Sequence, residues 1–217
     1  MWSKGISDAR GTAIDGGASS IIPQNRYNLR AEKSVADENT PHRFVLSSIY
    51  DLPVGRGRTF LSGMPSWSDA VMGGWTIAGI ATHSSGSPLN LSVQGNPSNT
   101  GNPDRPDIVG DWRLPDDQRS LERWFNTAAL VPNRQFTYGG AGRNILVGPA
   151  THQFDLAVYK AFPFRERFRL QFRAEAFNAF NTPNFGVPNV QVGNPAFGRI
   201  SGADRPRNLQ FGLKLIF

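Results

Sequence analysis

The sequence predicts an all-β chain, built as an antiparallel up-and-down meander of short strands separated by long, turn-rich loops. Three observations predict it. Period-two alternation recurs in six segments, most cleanly at the end of the chain. There Leu209, Phe211, Leu213, Leu215 and Phe217 alternate with Gln210, Gly212 and Lys214, and only Ile216 breaks the pattern. Sustained helical periodicity is scarce, and no stretch approaches the roughly 18 apolar residues of a spanning helix. Finally, the 217 residues hold 23 Gly and 16 Pro, with long Gly/Pro/Asn stretches between the alternating segments.

The strands are expected near 2–8, 42–54, 74–93, 152–162, 167–180 and 207–217. The first, WSKGISD, is short. The second carries Phe44, Leu46, Tyr50 and Leu52 on one face and Arg43, Ser47 and Asp51 on the other. The third is Gly-rich and weaker, with Trp75 and Ile77 at one end. In the fourth, Phe154, Leu156, Val158 and Phe162 oppose Gln153, Asp155, Ala157 and Tyr159. In the fifth, Phe168, Leu170, Phe172, Ala174 and Ala176 oppose Arg167, Arg169, Gln171, Arg173 and Glu175.

The connections carry as much information as the strands. PFRE alone separates the fourth and fifth segments, which predicts a tight hairpin. By contrast 9–41, 94–151 and 181–206 are long and rich in turn residues, with GNP recurring at Gly95, Gly101 and Gly193. The link 55–73 is intermediate and contains MPSWSDAVMGG, suited to a helical turn. Loops beyond about 12–15 residues are uncommon in compact soluble domains. A meander with short turns at one end and long loops at the other is how outer-membrane barrels are built. Eleven residues at about 3.3 Å each, tilted by about 45°, also span roughly the 25 Å apolar band of such barrels. The charged strand face would then line a wet lumen; in a soluble β-sandwich adhesion or carbohydrate-binding module, the competing architecture, it would face solvent.

A net charge of +6 and a pI near 10.2 raise nucleic acid or anionic lipid as partners. The most basic-aromatic run, RERFRLQFR (165–173), argues against nucleic acid. Its Arg residues take odd positions and its Phe and Leu residues even ones, so a strand would point them to opposite faces and deny the stacking platform. His42, His83 and His152 are far apart in sequence and are expected to be polar strand or loop residues, not metal ligands. NPSNTGNPDRPDIVGD (96–111) lacks the spacing of a calcium loop, and GGAGRN (139–144) lacks the strand-to-helix context of a phosphate cradle. No nucleophile, base and orienting group are grouped anywhere, so neither an enzyme nor a cofactor is expected. LPDDQRSLERWFN (114–126) reads as a helix, with Pro115 in its first turn and Asp116 and Asp117 at the positive end of its dipole. Leu121, Trp124 and Phe125 would pack it into a small loop core; Trp112, Trp124 and Phe125 are the candidate ligand-contacting loop residues.

With those motifs in place, the terminal segment resembles the carboxy-terminal β-signal of outer-membrane barrels, carried here by Gln210, Gly212, Leu215 and Phe217. Other stretches are similar to the last part of TonB-dependent receptors, in particular the Oar-like group with an N-terminal carboxypeptidase-regulatory-like domain. They are YNLRAEKS, HRFVLSSIYDLPVGRGRTF, GGWTIAGIATHSSGSPLNL, WFNTAAL, GGAGRNILVGPATHQFDLAVYKAF and RFRLQFRAEAFNAFNTPNFG. The resemblance implies an outer-membrane receptor of 22 strands, plugged by an N-terminal domain, energised through TonB and inserted by the barrel-assembly machinery. It also implies uptake of a bulky ligand such as a siderophore, vitamin, glycan or peptide. The sequence departs from that pattern in showing about six strands and no plug, TonB-contacting segment or signal peptide. The expectation is therefore a C-terminal piece of such a receptor, residues 1–217, with outer-membrane lipid and the missing strands and plug as partners.

Overall fold

An alternating segment satisfies its backbone groups only by pairing, and five of the six expected strands do so in one sheet. The computed structural model describes residues 2–8, 22–164 and 168–217. The strands are β1 (Arg43–Asp51), β2 (Trp75–Ser84), β3 (Thr151–Phe164), β4 (Phe168–Phe177) and β5 (Asn208–Ile216). Their spatial order is their chain order, β1-β2-β3-β4-β5. Every neighbouring pair is antiparallel. Leu52 N–H donates to Trp75 O at one end of β1/β2, and Ser85 N–H to His42 O at the other. His83 and His152 meet at one end of β2/β3, while Gly79 lies against Leu156 further along. In β3/β4 the register runs from Leu156 opposite Ala176 to Phe164 opposite Phe168. In β4/β5 it runs from Arg169 opposite Ile216 to Phe177 opposite Asn208. The all-β antiparallel meander is therefore present, and its sheet is open, with β1 and β5 as edges. The tip of the expected β3/β4 hairpin, residues 165–167, lies outside the described residues.

Register turns the sequence alternation into two chemically distinct surfaces. One face carries the rows Leu156–Ala176–Leu209, Val158–Ala174–Phe211, Lys160–Phe172–Leu213 and Phe162–Leu170–Leu215. The other carries Ala157–Glu175–Gln210, Tyr159–Arg173–Gly212 and Ala161–Gln171–Lys214. On the polar face Arg173 pairs with Glu175 at 3.0 Å and lies over the Tyr159 ring. Over β4 and β5 the apolar face is not covered: Leu213 is 71% exposed, Phe211 69% and Leu170 36%. A sandwich would bury these side chains under a second sheet, so the observed apolar face suits lipid and not a water-shielded core.

Residues 44–83, 152–183 and 205–217 form this sheet unit. The chain leaves the sheet before β1, after β2 and after β4. Those excursions, residues 1–43, 84–151 and 184–204, make a second compact unit. It has its own core of Leu91, Val93, Phe125, Leu130, Ala141, Leu146 and Val192. Two-residue pairings stitch it together: Ile6–Ser7 with Ser34–Val35, Pro88–Leu89 with Leu146–Val147, Asp107–Ile108 with Leu130–Val131, and Ser92–Val93 in parallel with Gln191–Val192. The three GNP motifs earn their glycines, for Gly95, Gly101 and Gly193 all adopt positive φ, which a Cβ would oppose.

A buried polar network adds to this core. Arg105 Nη1 donates to Glu32 Oε2 at 2.7 Å, and both side chains are about 5–6% exposed. The Glu32 Oε1 accepts from Gln24 N–H, the Gln24 Oε1 from Arg105 N–H, and Gln24 Nε2 and Arg105 Nε donate to the carbonyls of Gly139 and Ala141. Asn144 Nδ2 donates to Val35 O and to Asp37. Segments more than sixty residues apart are thereby fixed to one another.

Three local expectations change. Segment 2–8 is not a full strand: it contributes Ile6–Ser7 and an isolated Trp2–His42 bridge. The third strand stops at Ser84, because Ser85 N–H returns to His42 and Gly86 packs so closely on Gly148 that a Cβ would meet its carbonyl. Residues 114–126 form no α-helix; a 3-10 turn spans Asp116–Gln118, and another, Thr127–Ala129, follows the segment. The loop core claims the backbone donors a helix would need, since Trp124 N–H goes to Gly198 O and Asn126 N–H to Trp112 O. The α-helix described, α1 (Ser66–Met72), falls within MPSWSDAVMGG. Residues 9–21, within the first expected loop, lie outside the described residues.

Candidate functional site

Loop segments far apart in sequence bring Trp112, Trp124 and Phe125 into one place. They line a cavity of about 140 Å³ together with Arg113, Leu114, Arg119 and residues 145–147. Phe125 is 2% exposed and belongs to the core, edge-on to Phe197 at 5.2 Å. It supports the cavity from beneath. Trp112 and Trp124 are half-buried, so each keeps part of its ring accessible.

Trp124 is held through its indole and its backbone, Trp112 through its backbone. Trp124 Nε1 donates to Val147 O at 2.8 Å, and its N–H to Gly198 O at 2.9 Å. Trp112 O accepts from Asn126 N–H, while Asn126 Nδ2 holds Asp111 O at 3.0 Å. Each ring carries a guanidinium: Arg113 lies 4.5 Å from the Trp112 centroid and Arg119 5.4 Å from that of Trp124. Arg119 is tethered by Asp116 at 2.9 Å and by Leu114 O, whereas the Arg113 side chain is 70% exposed and contacts Asp111 only at 3.9 Å. Two held aromatic faces beside a solvent-reaching guanidinium can stack a ring and donate to a carboxylate, phosphate or hydroxyl. The sequence reading identified the rings and missed both arginines. The adjacent Trp112–Arg113 pair was the available signal; Arg119 reaches Trp124 only because the segment is not helical.

Of the expected assembly signal, Gln210, Gly212 and Leu215 share β5 but not a face. Gln210 opposes Glu175 and Gly212 opposes Arg173, while Leu215 opposes Leu170 on the apolar side. Phe217 follows the last paired residues and is 91% exposed. Ile216, the break in the alternation, sits opposite Arg169 at the short-turn end of the sheet.

Of the histidines, His83 and His152 meet across β2/β3 with Nδ1 atoms 3.0 Å apart, a pairing that only strand register reveals. Among the described residues no group of three or more His, Asp or Glu could hold a metal ion. The Asn- and Asp-rich stretch 96–111 turns on itself instead, with Asn96 Oδ1 accepting from Thr100 N–H and Asp104 Oδ2 from Ser98 N–H. In the basic-aromatic run, Arg169 and Arg173 lie on the face opposite Phe168, Leu170 and Phe172.

No helix among the described residues is long and apolar enough to cross a membrane. A family model described as an outer membrane beta barrel domain matches residues 1–210. Comparisons with curated proteins and with solved structures gave no match.

Proposed function

The chain belongs to the outer membrane beta barrel domain family and its place is the outer membrane; from that premise we propose that it forms the C-terminal part of a TonB-dependent receptor barrel. The receptor takes up a bulky ligand (siderophore, vitamin, glycan or peptide) at the expense of inner-membrane energy. The observation that carries the reading is the loop unit. Its excursions are folded around their own core and present the Trp112/Arg113/Trp124 cavity, as a ligand vestibule requires and a bare pore does not. The order of motifs resembling Oar-like receptors supports the same assignment.

On this reading the five-stranded sheet is one arc of a larger wall. Its unpaired edges in lipid would cost several kcal/mol per backbone group, so further strands and a plug complete it. The odd residues Leu209 to Phe217 face lipid, and Gln210, Gly212 and Lys214 the lumen. The barrel-assembly machinery reads Gln210, Gly212, Leu215 and Phe217 during insertion. The chain performs no catalysis and carries no cofactor.

Whole-cell uptake tests the reading. Cells expressing the gene should accumulate one member of a panel of ferric siderophores, cobalamin, oligosaccharides and peptides, and should lose that accumulation on deletion of TonB. Uptake that persists without TonB, or ion conductance with no uptake, would refute it.

A further inference from the structure

The connection from β1 to β2, residues 52–74, lies at the end of the sheet that also holds the tight β3/β4 turn. In outer-membrane barrels that is the periplasmic end, where turns are short. This one is long, carries α1, and exposes Phe60, Leu61, Trp67, Val71 and Met72. Trp67 is 76% exposed and Val71 64%, and they stand one helical turn apart on one side of α1. Ser66 and Asp69 face the other way, holding Arg56 through its Nη1 and its backbone N–H.

Lys160 fixes which side of the sheet the helix occupies. By register it belongs to the apolar face, in one row with Phe172 and Leu213. Its side chain is nevertheless buried, because Nζ donates to Val71 O at 3.0 Å and to Gly73 O at the C-terminal end of α1. The ammonium also lies 5.2 Å from the Trp75 ring and 5.1 Å from that of Phe162. Trp75 Nε1 donates to the same Val71 carbonyl. The helix end is therefore clasped onto the lipid-facing surface, and its exposed side chains continue the apolar band of Phe162, Leu170 and Leu215.

We propose that α1 is a membrane-surface anchor, lying in the headgroup region of the periplasmic leaflet with Trp67, Val71 and Met72 toward the acyl chains. Tryptophan at the interface and apolar residues on one side of a short helix are the chemistry of interfacial anchoring, and Arg56 and Arg58 supply cations for lipid phosphates. Lys160 satisfies its charge on helix carbonyls where it would otherwise face hydrocarbon. The inference rests on membership of the outer-membrane family and not on the transport reading.

The chain contains no cysteine, so Val71→Cys is a unique labelling site within it, and any cysteine elsewhere in the full-length protein is replaced by serine. The full-length protein bearing it is labelled with an environment-sensitive fluorophore in outer-membrane vesicles, with retained heat-modifiability as the check on folding. The expected result is blue-shifted emission, quenched several-fold more by a headgroup-level lipid quencher than by aqueous iodide. Adding Lys160→Met should reverse that preference by freeing the helix. A second label at Trp67→Cys should behave as Val71→Cys does. Labels quenched mainly by iodide, or shielded from both quenchers as in a protein interface, would overturn the proposal.

Discussion

A charge placed on the apolar face of β5 should destabilise the barrel by an amount that depends on depth. The proposed topology puts Phe217 at the periplasmic rim. At about 3.3 Å per residue and a tilt of about 45°, Leu215 lies roughly 5 Å inside, Leu213 roughly 9 Å and Phe211 roughly 14 Å. The apolar band is about 25 Å tall, so Leu213 and Phe211 bracket its midplane. Arginine costs about 2–4 kcal/mol at the midplane and about 0–1 near the interface. Leu213→Arg and Phe211→Arg should therefore each cost about 2–4 kcal/mol, Leu215→Arg about 1, and Gln210→Arg on the polar face close to nothing. Urea titration of the full-length protein refolded into lipid vesicles measures these differences. A flat series, or a Gln210→Arg penalty equal to that of Leu213→Arg, would refute the assignment of faces. So would a soluble, monomeric product with Leu213 shielded from water.

Other outcomes follow from the loop unit and the terminus. Glu32→Ala should cost about 3–5 kcal/mol, since it leaves Arg105 buried without its partner. Hydrogen exchange over 22–41 and 139–144 should rise with it, and adding Arg105→Met should recover most of the loss. Arg113→Ala should weaken ligand uptake about tenfold, the scale of a guanidinium contact of about 1.4 kcal/mol, without altering heat-modifiability, because the side chain is largely exposed. Trp124→Ala should weaken uptake more and also loosen the 145–147 segment that its indole N–H holds. Phe217→Ser should slow membrane insertion in pulse-chase assays while leaving the stability of assembled protein within about 1 kcal/mol, as for an interfacial position. Normal insertion kinetics would remove Phe217 from the assembly signal.

The sheet was legible in the sequence because two solvents impose period two on it. Phe154 to Phe162, Phe168 to Ala176 and Leu209 to Leu215 must each show an apolar face, and their alternation places all three strands. The loop unit obeys no such period. Its core residues Leu91, Phe125, Leu146 and Val192 come from different excursions, and the Glu32–Arg105 pair spans segments with no pattern in common. The same long-range competition dissolves the helix expected at 114–126, where local signals at Pro115, Asp116 and Asp117 support only a 3-10 turn. Tertiary partners for Trp124 N–H and Asn126 N–H outweigh propensity. Of the site, the aromatic members could be found by composition, and the arginines over them only by folding.

On the proposed topology the stitched loops face the outside of the cell, with a consequence for whatever meets them there. Glu32, Gln24, Arg105 and Gly139 are joined in space and scattered in sequence. An antibody or phage tail fibre that grips the exposed loops held together by this buried network therefore recognises a discontinuous epitope. Synthetic peptides copied from any single loop should fail to compete for it, and heating should abolish recognition along with the buried ion pair. Immune or viral pressure on one segment is then felt at its distant partners, so escape changes should appear in compensating pairs.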